Sequence, residues 1–361
     1  MTVAQQFGIS EQTLAGAGSV SYPPTVKGRV AQIDADFMCY QVSAPNKEER
    51  EGGHVRSFDT MCQQARTALM HLMNMVGAEN YIAHLTPSGS NKGGRYEQSI
   101  TLPYQGNRID AEKPEHSDAL RAWIGKHLPA FNHVDQEADD GMAQANYAAM
   151  NLNASDIQTS IIVSRDKDLR MVPGLHWDFK EERIVTIIDR FGYIEIDESG
   201  SQKKLVGYGT KFFWAQLLMG DGTDNIKGLP HMTTRFWFDD MGHETAAWVK
   251  LCDRYRTAKT NADKERHGIA LSTAGQKLRP VGPVAACDIL KHCESNRDCY
   301  HRIKGLYLEL DHNANYEFIN HHTQEPCTAT QALFGDMQTL WMRRSKDPMD
   351  VLAWLKEEGV L

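Results

Sequence analysis

The sequence predicts an α/β fold with a mainly parallel central sheet flanked by helices, followed by a helical C-terminal region. Three observations predict it. Apolar runs of strand length alternate with longer stretches of helical period through residues 28–209. From residue 210 to 361 the patterns are mostly helical, with a charged, strand-poor insertion at about 231–276. Acidic residues recur where strands end and helices begin.

Residues 1–27 are small, polar and Gly/Ser/Pro-containing, which predicts a loosely ordered lead-in. In "GRVAQIDADF" the run Val30 to Ile33 reads as a buried strand ending at Asp34. In "SFDTMCQQARTALMHLMNMVG" residues Met61, Ala65, Leu69, Leu72 and Met75 share one helical face, which is core. A strand "YIAHLT" and a Gly/Ser-rich loop "PSGSNKGGR" follow, then a polar stretch that turns helical after Ser117, a suitable cap. "EADDGMAQANYAAMN" reads as a helix beginning at its acids, and "IQTSIIVS" as a strand running into a second acidic turn. "RIVTIIDRFGYIEIDESG" reads as two strands joined at Arg190 to Gly192.

The 361 residues can bury a sizeable core, and 41% apolar with 24% charged residues is ordinary for a globular chain. No apolar run approaches the roughly 20 residues that span a bilayer, and "MTVAQQFGISEQ" has no basic start followed by an apolar block. The expectation is a soluble, cytoplasmic protein without a membrane partner. The seven cysteines include no CxxC, so reduced thiols are expected, and Cys287, Cys293 and Cys299 are spaced too widely for paired zinc ligands. "FINHHTQEPC" brings His321, His322 and Cys327 near one another in sequence, but adjacent side chains are expected to point apart. A net charge of −8 argues against a general nucleic-acid coat. It leaves room for a protein whose acids gather around metal ions.

The acids at strand ends and helix starts are Asp34, Glu137, Asp139 and Asp140 of "EADD", Asp166 and Asp168 of "DKD", and Asp221 and Asp224 of "GDGTDN". Each motif alone has a plainer reading, as a solvated turn or as acids favoured by a helix N-terminus. Together they fall where the functional crevice of an open parallel sheet lies, outside the carboxyl ends of its strands. Two carboxylates about 4 Å apart repel by on the order of 4 kcal/mol at an effective dielectric near 20, so a converging set must protonate or bind cations. With oxygen ligands and no nearby His or Cys, Mg²⁺ or Mn²⁺ is the expected ion.

The order of these motifs resembles that of the 5′ nucleases, which comprise flap endonucleases, the 5′ nuclease domains of bacterial DNA polymerases and phage 5′→3′ exonucleases. "AQIDADFMCY" is similar to that family's first metal strand, "QEADD" to its central motif and "IIVSRDKDL" to its strand ending in paired aspartates. "MGDGTDNIKGLP" is similar to its GDxxDNIxGxP signature, and "LPYQGNR" to the YKxNR segment leading into the helical arch, around 104–127 here. The resemblance runs in register from about residue 28 to 295.

It implies that Asp34, Glu137 and Asp139 hold one divalent ion while Asp140, Asp166, Asp168, Asp221 and Asp224 hold or orient a second, with Asp36 in an outer position. Three departures stand out. Thr86 and Ser88 occupy the region where the family has a further aspartate. Gln105 replaces the arch lysine, which leaves Arg95, Arg108 or Lys113 to contact the scissile phosphate. The chain after DNIxGxP does not continue into the second half of a helix-hairpin-helix until "KLRPVGPVAACDILK". There Gly282 marks the turn, Lys277, Arg279 and Lys291 are the expected DNA-binding residues, and K⁺ is an implied ligand.

The implied activity is metal-dependent 5′→3′ exonuclease or flap endonuclease action on DNA 5′ ends, flaps and duplexes, with RNA-DNA hybrid as a further substrate. A phage exonuclease is the expected kind of relative. Two alternatives share the same core: a PIN-type ribonuclease, and a catalytically inactive, structure-specific DNA-binding protein.

Overall fold

The computed structural model describes residues 21–109, 112–152, 156–232, 244, 246–272, 278–311 and 316–361. Most of the expected lead-in, part of the 231–276 insertion and Lys277 lie outside the described residues. The chain forms two units. The first takes in the chain up to Gln98, Arg108–Arg190 and Trp341–Ala353; the second takes in Ser99–Asn107, Phe191–Leu340 and Trp354–Leu361.

In the first unit, β1 (Val26–Asp34) leads into α1 (Ala35–Ser43), and α2 (Phe58–Met75) leads back to β2 (Ala78–Leu85). Then come α3 (Ser117–His127), β3 (Ala130–Asn132), α4 (Ala138–Leu152), β4 (Ser160–Val163), β5 (Gly174–Asp178) and β6 (Arg183–Ile187). The sheet order is β3-β2-β1-β4-β5-β6. Every neighbouring pair is parallel except β5 with β6. The order reverses between β1 and β4, so the carboxyl ends of those two strands flank the topological switch point where such sheets bind ligands.

Strand alternation gives the sheet two unlike faces. Ala31, Ile33, Ala83, Leu85, Ile161 and Val163 point into one apolar core with Met38, Leu69, Leu72, Leu120 and Ile124 of α1, α2 and α3. Burial of these side chains is what makes the helices stable, at roughly 25 cal/mol per Å² of apolar surface. Gln32 and His84 alternate with those residues and lie under α4. There a Cβ at Gly141 would sit 2.1 Å from His133 Cε1 and 2.8 Å from His84 Nδ1, so only glycine permits the approach. Of the five expected helical-face residues of α2, Met61, Ala65, Leu69 and Leu72 are buried and Met75 is partly buried against the same core. Ser117, expected as a cap, is the first residue of α3.

The two strands expected to pair across Arg190 to Gly192 do not pair. β6 adds antiparallel to β5, while β7 (Tyr193–Asp197) opens the second unit and pairs with β8 (Lys204–Tyr208). Both runs alternate as strands should, and the choice of partner is made by tertiary packing.

The second unit centres on α5 (Thr210–Met219), in which Phe212, Phe213, Trp214, Ala215, Leu217 and Leu218 are all buried. Phe213 and Trp214 pack against Trp354, and Trp214 against Tyr300. After α5 the chain makes a tight crossing, β9 (Gly220–Asp221) against β10 (Ile226–Lys227). It departs on β11 (Pro230–Met232), passes through α6 (Ala246–Thr257) and α7 (Asn261–Ser272), and returns on β12 (Leu278–Pro280). β11 and β12 pair antiparallel, Met232 opposite Leu278, so the long excursion leaves and rejoins at one place. Then follow α8 (Pro283–Leu290), α9 (Asn296–Asp311) and α10 (Ala329–Leu340). None of the seven cysteines is in a disulfide. Among the described residues no helix is long and apolar enough to cross a membrane.

Candidate metal centre

β1 ends at Asp34, whose carboxylate caps α1 by accepting from Phe37 N at 3.2 Å. Parallel registry sets Ile33 opposite Val163, so the residue after β4 arrives beside Asp34. That residue is Ser164. Its Oγ donates to Asp34 Oδ2 at 3.0 Å and accepts from Asp166 N at 3.0 Å, tying the ends of both strands into one junction. Asp166 is exposed, and its Oδ1 accepts from Asp168 N at 2.8 Å. Asp168 is buried, with Lys167 Nζ 3.1 Å from its Oδ1.

Asp139 lies in the first turn of α4. Its carboxylate has no hydrogen-bond or ion-pair partner among the described residues. Loss of water, then the charges of Asp166, Asp34, Glu137 and Asp140, push its pKa well above the usual carboxylate value. Asp34 is likewise raised, to about 6, by burial and by the charge of Asp36. Asp36 is matched: Arg121 Nε of α3 sits 2.9 Å from its Oδ1, and Thr86 N donates to its Oδ2 at 2.9 Å. Thr86 Oγ1 in turn accepts from Ala138 N at 2.9 Å, holding the start of α4.

Glu137 and Asp140 are in a different situation. Lys92 Nζ lies 2.8 Å from Glu137 Oε1, and Arg95 NH1 lies 3.3 Å from Oε2. Arg95 also forks onto Asp140, with NH1 to Oδ2 at 2.7 Å and NH2 to Oδ1 at 2.8 Å. Arg343 N and Glu137 N donate to the same two oxygens at 3.1 Å each. Burial alone would raise both carboxyls, but Arg95, with Lys92 beside Glu137 and Arg343 beside Asp140, holds both below the usual range.

Two expectations are corrected here. Arg95 is 0% exposed and also donates to Trp341 O, so it cannot reach a DNA phosphate. Asp140 is also 0% exposed with both oxygens engaged, so it serves as the anchor of a buried arginine rather than as an available metal ligand. Sequence reading missed Lys92, Ser164, Arg121 and Arg343. Lys92 stands in a "KGG" run whose three residues all take positive φ, 51°, 70° and 78°, and that glycine pair was the only signal of a sharply bent loop.

In the second unit, Asp221 is buried and its Oδ1 accepts from Thr223 N at 2.7 Å. Asp224 Oδ1 accepts from Gln105 Nε2 at 2.9 Å, and Asp224 O from Gln105 N at 2.8 Å. Asn107 donates to Gly222 O and Asn225 to Pro103 O, so "LPYQGNR" is pinned along the "GDGTDN" turn. Gln105 thus spends its side chain on Asp224.

Arg108 is exposed at the end of the 106–108 turn, and Lys113 is exposed with Asp118 at 3.8 Å. Arg279 lies on β12 opposite His231, and Lys291 is exposed just past α8. Gly282 caps α8 at φ −93°, with open space where a Cβ would go. His321 and His322 do not point apart: both Nε2 atoms donate to Ser99 O, at 3.1 and 2.9 Å.

Among the described residues no three His, Cys, Asp or Glu side chains stand close enough together to ligate an ion as placed. Asp34, Asp139 and Asp166 form an all-oxygen donor set whose members repel one another, chemistry that suits a hard divalent cation drawing them inward.

No known protein family matches the chain, and no curated protein does. Solved structures similar to it include the flap endonuclease of bacteriophage T5 in a pseudo-enzyme-product complex with DNA and metal ions. That one shares 17% identity over 78% of this chain and 98% of the other, with a TM-score of 0.38. The T5 5′-exonuclease with divalent zinc ions bound is another, at 16% identity, the same coverage and a TM-score of 0.37. At these values the likeness assigns no activity to this chain.

Proposed function

We propose that the protein is a divalent-metal-dependent phosphodiesterase that cuts DNA at or near 5′ ends, as an exonuclease or flap endonuclease. The observation that carries this reading is the unpartnered Asp139 carboxylate beside Asp34 and Asp166 at the switch point of a parallel sheet. A half-buried acid without a partner is costly to the fold, and its retention in a ligand-binding crevice argues for use. Mg²⁺ or Mn²⁺ bound by these acids would supply Lewis-acid stabilisation of the phosphate and a more acidic water.

The chain's own residues prepare that site. Ser164 fixes the Asp34 carboxylate and the turn carrying Asp166, so two donors from neighbouring strands share one anchor. Burial, and then the charges of Asp166 and Asp34, disfavour the Asp139 carboxylate, and a divalent cation held here would offset that repulsion. The paired β11 and β12 followed by α8 support a helix-hairpin-helix reading of the second unit, with α5 as the first helix, Gly282 at the turn and the exposed Lys291 as a phosphate contact. Phosphate contact in the first unit falls to Arg108 and Lys113.

The test is digestion of a 5′-labelled flap, a blunt duplex and a single strand, as DNA and as RNA, with and without Mg²⁺. Mg²⁺-dependent release of short 5′ products from the DNA substrates is expected. Binding of the flap without cleavage in any metal would sink the enzymatic reading, and cleavage of RNA alone would point to a ribonuclease.

A further inference from the structure

We propose that Lys92 is a resident cation: its ammonium takes the place of a metal ion on Glu137, so Glu137 is not a metal ligand in this protein. The inference rests on the metal-site reading above and concerns how the chain divides its acids.

The loop that carries Lys92 is built to aim it. Ser90 Oγ donates to Gln136 O at 3.1 Å and accepts from Lys92 N at 3.1 Å. Asn91 N donates to Val134 O at 3.3 Å, and Asn91 Oδ1 accepts from Gly93 N at 2.9 Å. The backbone at Lys92 is left-handed, φ 51°, a conformation that costs a non-glycine residue on the order of 1 kcal/mol and persists where surroundings impose it. Next to it, a Cβ on Gly93 would lie 2.1 Å from Arg343 NH1, so the buried Arg343 guanidinium closes the loop from behind. The result is an ammonium 2.8 Å from Glu137 Oε1, with the lysine side chain 20% and the glutamate side chain 10% exposed. A lysine serving only solubility is not held this way.

Charge matching follows the same division. Lys92, Arg95 and Arg343 surround Glu137 and Asp140, and both acids are stabilised as anions without any metal. Among the described residues no lysine or arginine pairs with Asp34 or Asp139. Thr86, in the region where a family carboxylate was expected, holds the N-terminus of α4 instead of adding charge. A divalent ion arriving at Asp34, Asp139 and Asp166 meets repulsion from Lys92 and Arg95 if it also seeks Glu137, because each oxygen of that carboxylate already faces one of those cations.

The experiment measures Mn²⁺ binding to the full chain by calorimetry and by the EPR signal of free Mn²⁺. It compares the unaltered protein with Lys92→Met, Lys92→Arg and the charge-neutral double variant Lys92→Met with Glu137→Gln. Lys92→Met should tighten Mn²⁺ binding by tenfold or more, or add one bound ion, because Glu137 becomes available. The double variant, which leaves no orphaned charge to threaten folding, should return to within about threefold of the unaltered protein, as should Lys92→Arg. An unchanged Lys92→Met, or a double variant that loses an ion or weakens more than tenfold, overturns the inference. Absence of Mn²⁺ binding in every protein would instead overturn the metal site itself.

Discussion

Arg95 and Asp140 carry charge at 0% exposure, and each is tolerable only because the other is there. Removing one partner of a buried ion pair typically costs about 3–5 kcal/mol, since the survivor keeps its desolvation penalty. Arg95→Ala is therefore expected to lower the urea midpoint sharply. Were Arg95 a DNA contact, the same change would weaken binding and leave stability alone, so parallel denaturation and flap-binding titrations separate the roles. Asp139→Asn is expected to behave in the opposite manner. It removes an unpartnered carboxyl whose ionisation is disfavoured by burial and by the charges of Asp166 and Asp34, so the metal-free protein should melt at the same temperature or higher. Mg²⁺-dependent cleavage should fall by about a thousandfold or more with the loss of a ligand. A melting point lowered by several degrees would show that Asp139 has a structural partner after all. At this scale the sequence was half legible. Asp34 could be read because a buried strand ends there, a local feature. The pairing of Lys92 and Arg95 with acids some 45 positions away could not, because it depends on where a left-handed loop lands in space.

The crossing of β9 and β10 shows how an element can be set by absent atoms. Gly220 has φ 74°, and a Cβ there would lie 2.2 Å from Gly228 N; on Gly228 it would lie 2.1 Å from Met219 O. Backbone presses on backbone, so neither clash can be relieved by a rotamer. Gly228→Ala is expected to destabilise by several kcal/mol and to release the 99–107 segment pinned along the same turn, read as faster amide exchange at Gln105. Alternation and helical period made β1, α2, β2, α3, α4 and β4 readable. β3 was missed because three residues carry no period, and β6 and β7 were joined because two alternating runs across a short polar link look like any hairpin. The excursion between Met232 and Leu278 was visible as an interruption of a motif, but its closure was not. Since its ends are paired antiparallel, replacing everything between them by Asn-Gly should give an ordinary two-residue hairpin turn. The shortened protein is expected to unfold within a few degrees of the parent; a molten or insoluble product would show that the excursion holds the unit together.

Over the whole molecule, buried ionisable groups make the formal charge of −8 a poor guide to behaviour. Burial and the charge of His133 push His84 down to about 3, and burial pushes His133 and His176 down to about 4. Their ordinary value is about 6.5, so each contributes stability that is fully present above pH 6.5 and lost as pH falls toward 4. Asp336 runs the other way. Burial raises it to about 7 although Thr101 and Tyr307 both donate to it at 2.8 Å. An acid whose folded pKa lies above its unfolded value near 3.9 contributes stability that is complete below about pH 4 and disappears as pH rises through 7. Asp336→Asn tests that sign directly. Asparagine keeps one acceptor oxygen but cannot satisfy both donors, so at pH 5 the variant should be less stable than the parent. Between pH 5 and 8 the parent loses the benefit of its protonated acid while the variant has nothing to titrate at that position, and the gap should narrow by on the order of 3 kcal/mol. Urea titrations of both proteins at pH 5, 6, 7 and 8 read this out. A gap that stays constant with pH would mean that Asp336 is already ionised at pH 5, held so by the charge of Lys227.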